Sequence, residues 1–593
     1  MKRFAFVTIA AAGLAACSGH GAQSVLPSTG TMGSSTHAAS SFVNPPAGWA
    51  ATNTLGATVT NASDNGALGG ATALTVRLGL QLHNVSQLQQ AIDAGTPISD
   101  ATFMSQYAPT SAEATAVKNY LQAQGFTNVR ASSDNLLISA DGTAAQAAAA
   151  FDTAIEAFSL NGTPVYANTK PALVPQSLGG IVVAVLGLNN AARMVTAPHI
   201  NGSPCFPVDP APSGTPCVRS YGPQEMQTFY DAGATAAATA TTVAVMAEGN
   251  VAQTVADLRY AEGQDNLPQV PLQVVQVGLS SPDTAGVIEW DLDTQSSTGI
   301  AGSVKELYLY DTTSLTDSDI ANEYSQWTND DKAQLGNSSF GECEYQAWLD
   351  GSMAVDDEVL MHAAAHGQTM FASTGDTGSS CALAGTNGVP GSGPPLVSYP
   401  ASSPYVVGVG GTTLASNNDD TYLGEVAWNS GGGGLSQFEN STRLMQRVQL
   451  VGGTVAEANL RGLPDIAMAA DPNAGGFNVY TQQPLQTTTG PCGEPCTIGG
   501  TSEASPLAMG SYARMQAAHG NALGFGGTAL YTEYVENSTS SATLTGPPPT
   551  QVVGGFHDVI TGANGAYTAL PGYDYTTGMG TFDISVMNKL IGH

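Results

Sequence analysis

A serine set where a loop turns into a helix is well placed to act as a nucleophile, and Ser502 has that setting in Gly499-Gly500-Thr501-Ser502-Glu503-Ala504-Ser505-Pro506. Gly499 and Gly500 would let backbone approach a substrate closely, and the N–H groups opening the helix favour negative charge beside the hydroxyl. Serine is also a common helix cap, so the octapeptide alone leaves both roles open. A second set of groups lies in Glu289-Trp290-Asp291-Leu292-Asp293. Glu289 and Asp293 fall on one helical face, where a solvated acidic surface needs no function. Two carboxyls close enough to share a proton instead give a group that works as base and then as acid. A third candidate is Asp376 in Ser373-Thr374-Gly375-Asp376-Thr377-Gly378, which follows Met370-Phe371-Ala372 and so stands at the carboxyl end of a buried strand.

These residues need a scaffold. From about residue 200 to 593 apolar strands alternate with helical stretches, which predicts an α/β domain with a doubly wound, mainly parallel sheet. Leu74 to Asn190 has its own organisation: helices over Val85–Asp93, Ser111–Gln124 and Ala144–Phe158, and a strand over Asn135–Ser139. This predicts a separate small α+β, ferredoxin-like domain over 71–195.

Further segments fall in order along the chain: Val243 to Gly249, Asn337-Ser338-Ser339-Phe340-Gly341-Glu342-Cys343-Glu344, Gly408 to Leu414, Gly431 to Ser436 and Arg461 to Ala467. Together with the three motifs they resemble the sedolisin family, the serine-carboxyl peptidases, over nearly the whole chain after its first forty or so residues. The resemblance implies a subtilisin-like fold preceded by an activation prosegment of the pro-kumamolisin type, removed by a cut between about 190 and 220. It also implies Glu289 as general base, Asp293 as its proton-sharing partner, Ser502 as nucleophile and Asp376 as the acid that stabilises the oxyanion. A carboxyl does this last task only while protonated, so the expected activity is that of an acid-active endopeptidase on proteins or peptides. An H-G-T-H-type element is missing upstream; His366-Gly367-Gln368-Thr369 is a poor substitute. Glu503 stands where the family often has Ala. An inactive relative serving as a surface binding lipoprotein is the alternative reading.

The resemblance extends to calcium loops near the carboxyl end. Asp558 and Asp574, with carbonyls of Val559, Leu570 and Gly572 and a water, would make one oxygen site for Ca2+. Leu570 departs from the glycine usual there.

Composition agrees with work in acid: 47 Asp plus Glu against 16 Lys plus Arg give a formal charge of -31 at pH 7. Nucleic acid is an unsuitable partner for such a chain. Lys2 and Arg3, the apolar run Phe4–Ala12 and Leu14-Ala15-Ala16-Cys17 resemble a bacterial lipoprotein signal over 1–17, implying lipid on Cys17, export to the cell envelope and a membrane-tethered precursor. Residues 18–70, poor in charge and rich in small polar residues, predict a flexible tether. Six cysteines remain. Proximity along the chain pairs Cys205 with Cys217 and Cys492 with Cys496, leaving Cys343 for Cys381, among fifteen formal pairings. His362 and His366 have helical ligand spacing without the glutamate of H-E-x-x-H and are read as part of a helix. The prosegment would act as an intramolecular inhibitor, and the expected state is a monomer.

Overall fold

Strand-forming runs build two main sheets, one in each half of the chain. The structure, a computed structural model, describes residues 39–57, 59–196, 198–200, 219–381, 394–417, 421–451, 459–484, 486–487, 490–492, 494–538 and 551–592. In the amino-terminal domain, β1 (Ala73–Leu80) is followed by α1 (Val85–Asp93), α2 (Ser111–Ala123), β2 (Thr127–Ala131), β3 (Leu137–Thr143), α3 (Ala144–Ala150) and β4 (Val182–Leu186). The strands form an antiparallel sheet in the order β2-β3-β1-β4. α2 starts at Thr110, whose hydroxyl accepts from the Glu113 N–H while the Glu113 carboxylate accepts from the Thr110 N–H, a reciprocal cap that satisfies two otherwise orphaned donors. The faces of β1 have different duties. Val76, Leu78 and Leu80 pack in one core with Val117 and Leu121 of α2. Arg77 and Gly79 turn to the other half of the molecule.

Three expectations about this half are corrected. The helix expected over Ala144–Phe158 ends at Ala150, because Ile155–Leu160 pairs antiparallel with Thr163–Asn168; a two-stranded ladder outcompetes the helix preference of the alanines. The strand expected over Asn135–Ser139 is shifted to Leu137–Thr143. The described part of the segment expected as a tether over 18–70 is paired: Trp49–Ala51 with Leu173–Pro175, and Ala62–Ala67 with the strand after α3. Sparse charge there accompanies backbone pairing, not freedom of the chain. Residues 18–38 and Cys17 lie outside the described residues.

The large domain is built on β5 (Ala238–Glu248), β6 (Leu272–Val277), α4 (Val287–Ala301), β7 (Val304–Thr312), α5 (Asp317–Asp330), β8 (Leu335–Ser338), α6 (Ser352–His366), β9 (Thr369–Ser373), β10 (Val406–Ser416), β11 (Tyr422–Ala427), β12 (Ile466–Ala469), β13 (Cys496–Gly499) and α7 (Thr501–Ala518). Its sheet runs β6-β7-β5-β8-β9-β10-β11, with β12 also on β10, and every pairing is parallel except β10 with β11. The expected mainly parallel α/β sheet is therefore present. Runs such as Thr242-Val243-Ala244-Val245-Met246-Ala247 are buried along their length, as strands covered on both faces are. Cys343–Cys381 and Cys492–Cys496 are bonded. Cys205 and Cys217 lie outside the described residues.

The two domains are locked together by polar contacts to α5 and α6. Leu82 N–H donates to Glu358 at 3.1 Å, Arg77 bridges to Asp319 at 3.1 Å, and Asp134 pairs with His362 at 3.0 Å. Phe103 stacks on the His362 ring at 3.6 Å between centroids. His362 and His366 lie on a helix as expected, and their neighbours are prosegment side chains.

Candidate active site

Ser502 sits in the first turn of α7, three residues beyond the end of β13, and is 3% exposed. Gly500 makes the corner with φ 118°, a conformation that costs glycine little. Gly499 has a different role from the one expected of it. A Cβ there would lie 2.6 Å from the Ala470 carbonyl oxygen, so its smallness serves backbone packing. α4, which carries Glu289 and Asp293, lies against α7 through Gly510, where a Cβ would fall 2.2 Å from the Ser297 carbonyl oxygen. That close approach brings two sequence-distant helices into one site.

Glu289 and Asp293 are both fully buried. Burial pushes the Glu289 carboxyl well above the ordinary range, Asp293 pushes it further, and the nearby Ser502 hydroxyl opposes them, while neither Glu289 oxygen has a partner at hydrogen-bond geometry among the described residues. Asp293 is likewise raised by burial, against hydrogen bonds from Ser339 and Asn337. The pair therefore keeps a proton far longer than free carboxyls would. Ser502 Oγ also donates to the Ser339 carbonyl oxygen at 3.4 Å.

Behind these groups runs a chain of polar contacts. Ser505 Oγ donates to Asn337 Oδ1 at 2.7 Å, Asn337 Nδ2 to Ser339 Oγ at 3.0 Å, and Ser339 Oγ to Asp293 Oδ1 at 2.6 Å. Sequence reasoning placed Asn337 and Ser339 on a cleft strand but assigned them no task, and it passed over Ser505. The signal was there: three polar residues in a row, Asn337-Ser338-Ser339, end and follow a strand that the alternation of elements buries in the sheet, and buried polar groups need partners.

Asp376, past the end of β9, accepts from Thr501 N–H at 2.8 Å and Thr501 Oγ1 at 2.7 Å on one oxygen. Its other oxygen faces His199 Nε2 at 3.3 Å, and this contact holds the imidazole charged to higher pH than usual against the effect of burial. The four expected side chains gather around the start of α7: Glu289 stands beside the Ser502 hydroxyl, Asp293 is linked to Ser502 through Ser339, and Asp376 through the neighbouring Thr501. Among the described residues no histidine hydrogen-bonds Ser502.

His199 comes from the linker between the domains, which runs through this cleft. Val195 exchanges backbone hydrogen bonds with Gly341 at 2.9 and 3.2 Å, Met194 N–H donates to the Leu315 carbonyl, and His199–Ile200 pairs antiparallel with Ile498–Gly499 of β13. Met194 is buried and Val195 is 56% exposed. Val195 and His199–Ile200 of the linker thus pair by backbone with Gly341 and with the strand that leads to Ser502, the way a peptide is held by its backbone.

The carboxy-terminal loops also come together. Gly572 N–H donates to both oxygens of Asp558 at 3.1 Å; Leu570 N–H donates to Asp574 at 2.8 Å, with Thr576 and Thr577 on its other oxygen. Val559 adjoins Asp558 and is buried. Burial pushes Asp558 up to about 6, the Gly572 hydrogen bond opposes this, and Asp574 adds to it. Two buried carboxylates facing one loop, with oxygen donors only, suit a hard cation.

A mainly parallel α/β sheet, with a serine at the start of a helix packed against it and carboxyls as that serine's neighbours, defines a serine peptidase of the subtilisin-like fold. Residues 60–191 match the pro-kumamolisin activation domain and residues 282–549 the subtilase family. The chain is 36% identical over 542 residues to sedolisin of Pseudomonas sp. (strain 101), covering 86% of each, and 34% identical over 568 residues to xanthomonalisin of Xanthomonas sp. (strain T-22), covering 87% of this chain and 65% of that one. The solved structure of Pseudomonas sedolisin, complexed with pseudo-iodotyrostatin, matches with a TM-score of 0.54 at 33% identity over 63% of this chain and 98% of that one. The chain belongs to the sedolisin family: it is a serine-carboxyl peptidase made as a zymogen.

Proposed function

We propose that this zymogen matures into an acid-active endopeptidase in which Glu289 takes the proton of Ser502, Asp293 shares and orients it, and Asp376, once protonated, donates to the oxyanion. The observation that carries the reading is the buried Glu289–Asp293 pair set against Ser502, with Asp376 bonded to Thr501, the preceding residue on the same helix. Attack of Ser502 Oγ on the peptide carbonyl forms an acyl-enzyme, the proton held by the carboxyl pair passes to the leaving amine, and water completes hydrolysis. A pair that retains one proton can take and return another only where solvent protons are plentiful, and Asp376 donates only when neutral, so both needs favour acid. Digestion of a denatured protein by the processed enzyme across pH 2–8 checks this. Cleavage is expected to peak below pH 5, and a maximum near neutrality would refute it.

In the precursor Val195 and His199–Ile200 of the linker pair with the walls of the site, and His199 faces the free oxygen of Asp376. The prosegment and linker act as an intramolecular inhibitor, and the first cut falls in or near the segment passing Ser502. Because the His199–Asp376 contact helps to hold the linker in place, a His199→Gln precursor is expected to self-process about 2- to 5-fold faster than the parent at the same acidic pH, the range of a partly exposed ion pair. Gel analysis of the time course checks this; an unchanged or slower rate removes His199 from the reading.

Asp558 and Asp574, with the Val559, Leu570 and Gly572 carbonyls, would hold one calcium ion, which ties the carboxy-terminal loops together. The amino terminus fits export and lipid attachment at Cys17 in a bacterial envelope, with the cut releasing a monomeric peptidase domain; among the described residues no helix is long and apolar enough to cross a membrane. An inert binding role is disfavoured by the presence of all four polar groups in one cleft.

A further inference from the structure

A polar cavity of about 10 Å³ lies where the prosegment meets the peptidase domain, and none of its lining residues belongs to the catalytic or the Asp558–Asp574 set. On the peptidase side stand Asp317, at the start of α5, and Asp350; Glu342 joins them, and one oxygen from each lies within 4.8 Å of the others. All three are buried. On the prosegment side stands Asn168, fully buried, whose Nδ2 donates to the carbonyls of Leu55 and Lys170 at 2.8 and 2.9 Å. Those two bonds fix the amide, and Oδ1 is left with no donor. Both oxygens of Asp317 and Oε1 of Glu342 also lack one. No Lys, Arg or His lines the cavity, and Arg77 is committed to Asp319 and Ser318.

Buried carboxylates are normally paired with a cation or coordinate a metal. Oxygens sharing a calcium-sized ion at 2.3–2.6 Å lie at most about 5 Å apart, which the three carboxylates satisfy. We propose that Asp317, Glu342 and Asp350, completed by Asn168 Oδ1, form a divalent-cation site of the calcium type that spans prosegment and peptidase domain and is whole only while the prosegment is docked. It is separate from the carboxy-terminal loops and joins the two domains through oxygen ligands from both.

The test uses the full-length Ser502→Ala precursor, stripped with chelator, titrated with calcium at pH 7 and counted by calorimetry and elemental analysis. Two ions per chain are expected. Glu342→Gln and Asp317→Asn should each remove one, and Asp574→Asn the other. Asn168→Ala leaves the acids intact and should weaken one of the two sites about tenfold; near-ultraviolet circular dichroism verifies that each variant is folded. Failure of the carboxy-terminal reading would show as an Asp574→Asn chain that binds as many ions as its parent while Glu342→Gln still loses one. The proposal is overturned if folded Glu342→Gln and Asp317→Asn chains bind as many ions as the parent, or if Asn168→Ala changes neither affinity, the three acids then sharing protons instead of a cation.

Discussion

Ser502→Ala is expected to leave the precursor uncut in acid and to lower peptide hydrolysis roughly 10⁴- to 10⁶-fold, the scale seen when a nucleophile is removed from a serine peptidase. That corresponds to about 5–8 kcal/mol of lost transition-state stabilisation. The change should cost little stability, because the Ser502 hydroxyl makes only a long bond to Ser339 and a contact with Glu289. Glu289→Gln keeps the shape but cannot take a proton, so a loss of similar order is expected, and the double variant should be no worse than either single one, since the two groups act as a unit. Asp376→Asn tests a different step. Its amide still donates a hydrogen bond without needing acid, so the residual activity should depend less on pH. Self-processing at the parental rate by dilute Ser502→Ala precursor, followed by intact mass, would eliminate Ser502 as the nucleophile.

Thermal stability of that inactive precursor is expected to fall as pH rises from 4 to 8, the reverse of ordinary acid denaturation. Burial raises a large set of carboxyls, among them Glu289, Asp293, Glu323, Asp356 and Glu503, with Glu344 pushed up to about 7 and Glu358 to about 8. For an acid whose folded pKa lies above its unfolded one, stability is fully present below the unfolded value. It is lost as pH rises through the folded value, because the native state then binds more protons than the unfolded chain. For Glu344, buried beneath Ser436 and Gln437, that window runs from 4.5 to about 7 and amounts to roughly 3 kcal/mol. Glu344→Gln should therefore flatten the curve within it. Asp134 has the opposite sign. Burial works to raise it, but the hydrogen bond and charge of His362 outweigh burial and hold it low, so its contribution is lost as pH falls through the folded value. Acid thus loosens a prosegment contact while it favours the peptidase core. Melting temperatures that climb between pH 4 and 7 would contradict this account.

The features legible in the sequence were those that backbone and short spacing impose. Glu289 and Asp293 had to share a face once the segment was helical, Ser502 had to open a helix after two glycines, and apolar strands alternating with helices had to form a covered parallel sheet. Local hydrogen bonding and burial decide these, and neither depends on which segment is the neighbour. Where a competing partner was needed, local preference misled: alanines after Ala150 yield to the ladder of Ile155–Leu160 with Thr163–Asn168, and a polar stretch before residue 70 gains strands by pairing.

The tertiary structure alone decided which polar groups meet. Ser339 reaches Asp293 across 46 residues and Ser502 across 163, and Thr501 reaches Asp376 across 125. These meetings follow from strand order β5-β8-β9 and from the Gly510 contact that seats α7 on α4. The docking of His199 on Asp376 and the gathering of Asp317, Glu342, Asp350 and Asn168 depend in turn on how the prosegment lies on the peptidase domain. Side-chain chemistry is written residue by residue, but an interaction between charges or hydrogen-bonding groups acts over a few ångströms. Only the packing of distant segments brings such groups within that range.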